Sequence, residues 1–142
     1  MPKFSKASQK ALDSCVSPLQ DLFNEVVKHY DCKILEGHRG KEAQNVAYAK
    51  GLSKKRWPNG KHNSVPSKAV DVAPYPVQWP GPGLSSQENQ RRTIRFYHFI
   101  GFVAGVASQM GISIRCGADW DSDEELFDQT FNDLPHFELR QP

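Results

Sequence analysis

Cysteine is scarce in this 142-residue chain, with Cys15, Cys32 and Cys116 the only three. None belongs to a Cys-x-x-Cys or Cys-x-x-His unit, which argues against a thiolate zinc site. An odd count with no pairing pattern reads as reduced structural thiols, not a disulfide scaffold. Long apolar runs are missing too. The most apolar stretch, 96–110, is interrupted by His98, Gly101, Gly105 and Ser108 and is too short to span a bilayer. The opening Met-Pro-Lys-Phe-Ser-Lys lacks the apolar core of a secretory signal, so a cytoplasmic protein is expected. Neither internal repeats nor low-complexity blocks occur, which excludes repeat arrays. An excess of one charge sign is nearly absent: the net charge is +2, and bulk charge selects no partner.

What remains is an ordinary globular composition. Hydrophobic residues make up 38%, enough for one modest core, and charged residues make up 24%, which argues against disorder. The length suits one domain, 1–142. The charges are unevenly placed. Lys54, Lys55, Arg56 and Lys61 form a basic stretch without an acid, whereas 119–138 holds eight acids and no Lys or Arg. Such a division reads either as two solvated loops or as a polarised surface with an ion site.

Leu12, Val16, Leu19, Leu22, Phe23, Val26 and Val27 recur at helical spacing, which predicts a helix over about 8–29, kinked or split at Pro18. A strand is expected at 32–36 and a second helix at about 41–50. Gly, Pro and Asn mark 51–67 as loop. A short apolar strand at 69–73 carries one acid, Asp71. The four prolines of 74–83 demand an extended loop. A long helix follows over about 87–110, with Ile94, Phe99, Val103, Val106 and Met110 among its apolar positions and with Met110 and the Phe-rich stripe expected in the core. Strands are expected at 112–116 and 136–139, and the whole reads as an α+β domain.

Chemistry concentrates in three segments. A catalytic zinc needs three protein ligands, commonly imidazoles and a carboxylate, with a position left for water. His62, Asp71 and His136 supply such a set. His62 sits in a loop able to turn its ring inward. Asp71 interrupts the apolar Ala69-Val70-Asp71-Val72-Ala73, where an unpaired carboxylate is costly. A metal accounts for that placement, and so does an ion pair with Arg or a turn cap. His136 opens a strand. Asp133, three residues earlier, can lie beside a metal without binding it and act as the base. Pro135 stiffens the link between them.

Taken in order, the residues are Gly37-His38-Arg39 with Gln44 five beyond the arginine, then His62 and Ala69-Val70-Asp71, then Asp133-Leu134-Pro135-His136-Phe137-Glu138. This series resembles the family of zinc D-alanyl-D-alanine carboxypeptidases and L-alanyl-D-glutamate endopeptidases, particularly its small single-domain phage endolysins. The likeness spans 37–139, most of the chain, and its specificity lies in the ordered set. It implies an α+β fold of the hedgehog or DD-peptidase kind, a small antiparallel sheet packed with helices. It implies one Zn²⁺ on His62, Asp71 and His136, Asp133 as base, and Arg39 on the substrate carbonyl. A guanidinium suits an oxyanion; a salt bridge to Glu36 or Glu42 is the plain alternative. Gln44 is expected to be a structural hydrogen-bonding residue, and Glu138 to orient a ligand from behind. His62 and Asp71 stand nine apart where much of the family has seven. Seven before Asp71 is Ser64, a poor zinc ligand, so a two-residue loop insertion is inferred.

Other signals are open. Asp119, Asp121, Asp123 and Glu125 alternate as Ca²⁺ oxygen ligands can, yet the glycine and terminal glutamate of an EF-hand loop are absent, so a solvated loop serves as well. Trp120 lines a cleft or packs in the core. Tyr75, Trp79 and Trp57 form an aromatic rim or cover a core. His29, His38 and His98 lack partners at ligand spacing.

The resemblance implies hydrolysis of the peptidoglycan stem peptide, with two bond choices. The small form without a leader favours the L-alanyl-D-glutamate endopeptidase of a phage endolysin over a D-alanyl-D-alanine carboxypeptidase. Such an enzyme is expected as a monomer in the host bacterial cytoplasm, reaching the periplasm and wall after membrane permeabilisation, without stable membrane association. A non-catalytic wall-binding module is a rival that has no need of Asp133. Nucleic-acid binding through Lys54–Lys61 is the other, and the acidic C-terminal third would repel phosphate.

Overall fold

Ser5 accepts a hydrogen bond from the Ser8 amide and so starts α1, Lys6–Asp13. The predicted first helix is in fact two. The chain breaks at 14–16, and Pro18 falls in the first turn of α2, Ser17–His29, where its missing N–H costs nothing. β1, Cys32–Glu36, has the predicted bounds, and α3, Lys41–Ala49, follows. After the loop and a 3₁₀ turn at Lys61–Asn63 comes β2, Ala69–Pro74. Ser85 caps α4, Ser86–Met110, and Gly111 ends it in the left-handed conformation at φ 72°. β3, Ile114–Cys116, is shorter than the predicted strand, and β4, His136–Leu139, has the predicted bounds. This computed structural model of the protein describes residues 2–126 and 132–140; of the acidic run, Asp128 lies outside the described residues.

The four strands form one antiparallel sheet in the order β1-β2-β4-β3. Side chains alternate across its two faces. On one face Val70, Val72 and Phe137 are fully buried with Leu12, Leu19, Leu22, Phe23, Val26, Phe99 and Val103 of the helices. Phe137 meets Phe23 and Phe99 edge-on at centroid distances of 5.3 and 6.2 Å, and this aromatic knot holds the helices to the sheet. Met110, expected in that core, is exposed instead, and so is the apolar Ile94. They lie towards opposite ends of α4, and helical periodicity does not tell where a partner stops.

The other face carries the polar residues. Register places Asp71 opposite His136 across β2 and β4, and Glu36 opposite Asp71 across β1 and β2. Strict alternation would send Glu36 to the core side, with Cys32 and Ile34. A register shift between Ile34 and Glu36 inserts one residue and turns Glu36 to the polar face. The next row across the sheet is Ala69, Glu138 and Arg115.

Candidate active site

These rows floor an open cleft of ≈ 1690 Å³ whose lining includes Arg39, His62, Asp71, Asp133 and His136. Two of the three predicted metal ligands are cross-strand neighbours, and the third arrives from the 3₁₀ turn. His62 Nδ1 donates to the Gly37 carbonyl at 2.7 Å, and His136 Nε2 to Glu138 Oε1 at 2.8 Å. Carbonyl and carboxylate oxygens can only accept, so these bonds fix which ring nitrogens are left to face the cleft. His62 Nε2 and His136 Nδ1 then face Asp71 Oδ1, at 3.1 and 3.3 Å. Donor atoms of the three residues all lie within 4.8 Å of one another. The His–Asp spacing of nine therefore still brings both residues to one point.

The donor set fits a divalent ion. Bonds of about 2.0–2.1 Å in a tetrahedral zinc site put neighbouring ligand atoms about 3.3 Å apart, close to the separations between Asp71 and each imidazole. Both rings have their rear N–H satisfied, and all three residues line the open cleft. The second oxygen of Asp71 is held by Arg39 Nη2 at 3.4 Å.

Charge is tightly arranged here. Burial pushes the Asp71 carboxyl up, but hydrogen bonds from His136 and His62 overcome it and hold the group well below the usual carboxylate range. Burial would discharge His136, yet its bonds to Asp71 and Glu138 raise it to about 9 in the metal-free protein. Asp133 behaves oppositely. Burial, then repulsion from Asp71, pushes it up to about 6, against the pull of His136, His62 and Arg39. Its Oδ2 is 3.8 Å from His136 Nδ1, beside the ligand atom and outside bonding reach of it. Gly117 makes that position possible, because a Cβ there would overlap the Asp133 carbonyl.

Arg39 is no surface residue; its side chain is 12% exposed. Nε donates to Glu36, Nη1 to Gln44 Oε1 at 3.1 Å and Nη2 to Asp71, which engages three of its five N–H donors. Gln44, 1% exposed, also accepts from Asn63 Nδ2 and donates to Ser53 Oγ and the Lys55 carbonyl. The structural role expected of Gln44 is what the structure displays, with Asn63 an unforeseen partner.

Behind His136, Glu138 accepts from Arg115 Nη2 at 2.9 Å, and the Arg115 guanidinium lies 5.3 Å from the Trp120 ring centre. Trp120 in turn packs on the His136 ring at 5.1 Å and lines the cleft. Arg115 escaped the sequence reading, although its place between Ile114 and Cys116 on a strand was the signal that it faces the site. Gly37 belongs to the ordered motif, but its hold on His62 through a backbone carbonyl had no side-chain signal.

The weaker signals divide. Trp79 lines the cleft and stacks on Phe96, whereas Tyr75 and Trp57 are not among the lining residues. His29 bonds Glu25, His98 bonds Tyr30 and His38 bonds the Ser64 carbonyl, away from the site. Asp119, Asp121 and Asp123 bring carboxylate oxygens together, but those of Asp119 and Asp121 accept from the Asp123 amide and that of Asp123 from the Glu125 amide. Acidic loop geometry accounts for them without calcium. Burial raises Cys15 to about 11 and Cys32 and Cys116 to about 12, as inert structural thiols require.

Fold and site together narrow the chain to the α+β peptidases. It matches the family described as phage L-alanyl-D-glutamate peptidase over residues 1–140 and belongs to that family. It is accordingly a peptidoglycan endopeptidase of the phage endolysin type. The crystal structure of the Serratia marcescens L-Ala D-Glu endopeptidase ChiX is similar in fold, with a TM-score of 0.67 at 19% identity, over 98% of this chain and 91% of that one. No curated protein sequence matches the chain. None of the helices among the described residues is long and apolar enough to cross a membrane.

Proposed function

We propose that this endopeptidase is zinc-dependent and cuts the amide between L-alanine and D-glutamate in the stem peptide. The observation that carries the metal reading is the set of three inward-facing donors on His62, Asp71 and His136, with both imidazoles braced from behind. When bound, zinc supplies a Lewis acid that polarises the scissile carbonyl and lowers the pKa of water. Asp133 takes a proton from the attacking water at its carboxylate and returns it to the nitrogen of the leaving D-glutamyl residue. Its proton affinity, raised towards neutrality, suits both halves of that transfer. Arg39 turns its two remaining N–H donors to the oxygen that becomes negative as the amide is attacked.

The family favours this bond over the terminal D-alanine of a carboxypeptidase. A wall-binding module without catalysis has no use for the carboxylate beside the donor set. The enzyme acts in phage lysis, reaching the wall from the host cytoplasm once the membrane is opened.

Digestion of Gram-negative peptidoglycan by the purified protein tests the proposal. Mass spectrometry should find new D-glutamyl amino termini, lost with a chelator and restored by Zn²⁺. Fragments lacking only a terminal D-alanine would transfer the activity to the other bond.

A further inference from the structure

The cleft has a side lobe of ≈ 390 Å³ whose walls include Lys61, Arg115, Trp120 and Asp121. Those four residues also line the main cleft, so the lobe opens onto the site. Its cations are Lys61, Arg115 and Arg140, and they are not equivalent: Arg140 is exposed and does not line the main cleft. Arg115 is spent on Glu138, and Arg39, across the site, is spent on Glu36 and Asp71. Lys61 is partly buried and makes no ion pair among the described residues, whereas the other lysines of the cleft, Lys50, Lys54 and Lys55, are exposed. Its backbone is also fixed. Lys61 directly precedes His62 in a 3₁₀ turn closed by Asn63, and its carbonyl accepts from the Lys68 amide at 3.1 Å.

The substrate supplies a matching group. D-Glutamate is a dicarboxylic acid; one carboxyl continues the stem peptide, and the other is left as an anion a few bonds from the scissile nitrogen. That anion enters a cleft already crowded with Glu36, Asp71, Asp121, Asp133 and Glu138. Without a dedicated counter-ion it would meet repulsion and lose its hydration uncompensated.

We propose that the lobe bounded by Lys61, Arg115 and Trp120 receives the free carboxylate of the D-glutamyl residue, with the Lys61 ammonium as its counter-ion. Lys61 is then a specificity-determining residue, selecting an acidic residue on the leaving side of the bond. The inference rests on the cleavage proposed above and names how its substrate is recognised.

The test uses two peptides, L-alanyl-D-glutamyl-L-lysine linked through the glutamate side chain, with the α-carboxyl either free or as the primary amide. Wild-type enzyme should prefer the acid by about tenfold or more in kcat/KM. In Lys61→Met the acid-to-amide ratio should fall close to one, and Lys61→Arg should keep most of it. Calorimetric binding of the same peptides to metal-free protein should give the same ordering without any turnover. The wild-type preference, and its weakening by salt, need no variant should Lys61→Met fail to fold. A wild-type enzyme indifferent to amidation overturns the proposal, as does a ratio unchanged by Lys61→Met. Binding that discriminates while neither peptide is cut supports the carboxylate site and counts against the peptidase reading instead.

Discussion

Asp71 and Asp133 share one cleft and are both largely buried, yet their surroundings drive their proton affinities apart. Asp71 is surrounded by hydrogen-bond donors and stays ionised; at Asp133 burial and the charge of Asp71 outweigh the pull of His136, His62 and Arg39, and the group is poised to exchange a proton. Asp133→Asn should therefore keep its zinc, measured by elemental analysis, while kcat/KM falls by about 10²–10⁴-fold. In the wild type, activity should fall as pH drops through an apparent value at or below about 6, since the base is then protonated and a bound cation can only lower that value. His136 supports a second prediction. Its ordinary value of 6.5 is raised to about 9, so the metal-free fold favours the charged ring. Stability from this residue is fully present below 6.5 and is lost as pH rises through about 9. Coordination requires the neutral ring, so zinc uptake at pH 7.5 should release about one proton, seen by calorimetry in buffers of differing ionisation enthalpy. Uptake without proton release would remove His136 from the ligand set. At this scale the sequence was most legible for residues whose chemistry is unusual where they stand, such as Asp71 in an apolar strand. It was silent on what Gly37 and Asn63 do, because they act through a carbonyl and an amide common to many loops.

Among the elements, the sheet does the assembling. A cross-strand row sets Glu36, Asp71 and His136 side by side, and the adjacent row sets Glu138 beside Arg115. Arg115 holds Glu138, and Glu138 holds the His136 ring. Arg115→Ala should thus weaken zinc binding by about 10–100-fold in a chelator competition, with little change in thermal stability of the metal-free protein. Unchanged affinity would reduce the arginine to a surface role. Helical periodicity and turn residues made β1, β4 and α4 readable because their burial repeats locally. The bulge in β1 was not readable, because it depends on pairing with β2. The break between α1 and α2 was only half signalled: Pro18 marks a helix start as readily as a kink.

In the whole molecule, one face of the sheet is a dry aromatic core and the other a polar cleft. The division matches the ordered motifs, since residues from three distant parts of the chain meet only if β2 and β4 pair as they do. A likeness of fold to ChiX persists at 19% identity, as expected when volume and pattern, more than particular core residues, specify an architecture. The sequence carried the site's membership through that family pattern; it carried no information on the cleft's side lobe or on which cations were already paired. Anomalous diffraction at the zinc edge, from crystals of the protein grown with zinc, is the most direct measurement. One strong peak is predicted at about 2.0–2.2 Å from His62 Nε2, Asp71 Oδ1 and His136 Nδ1, with Asp133 outside bonding distance. A zinc peak elsewhere, or none at these three atoms, would contradict the account.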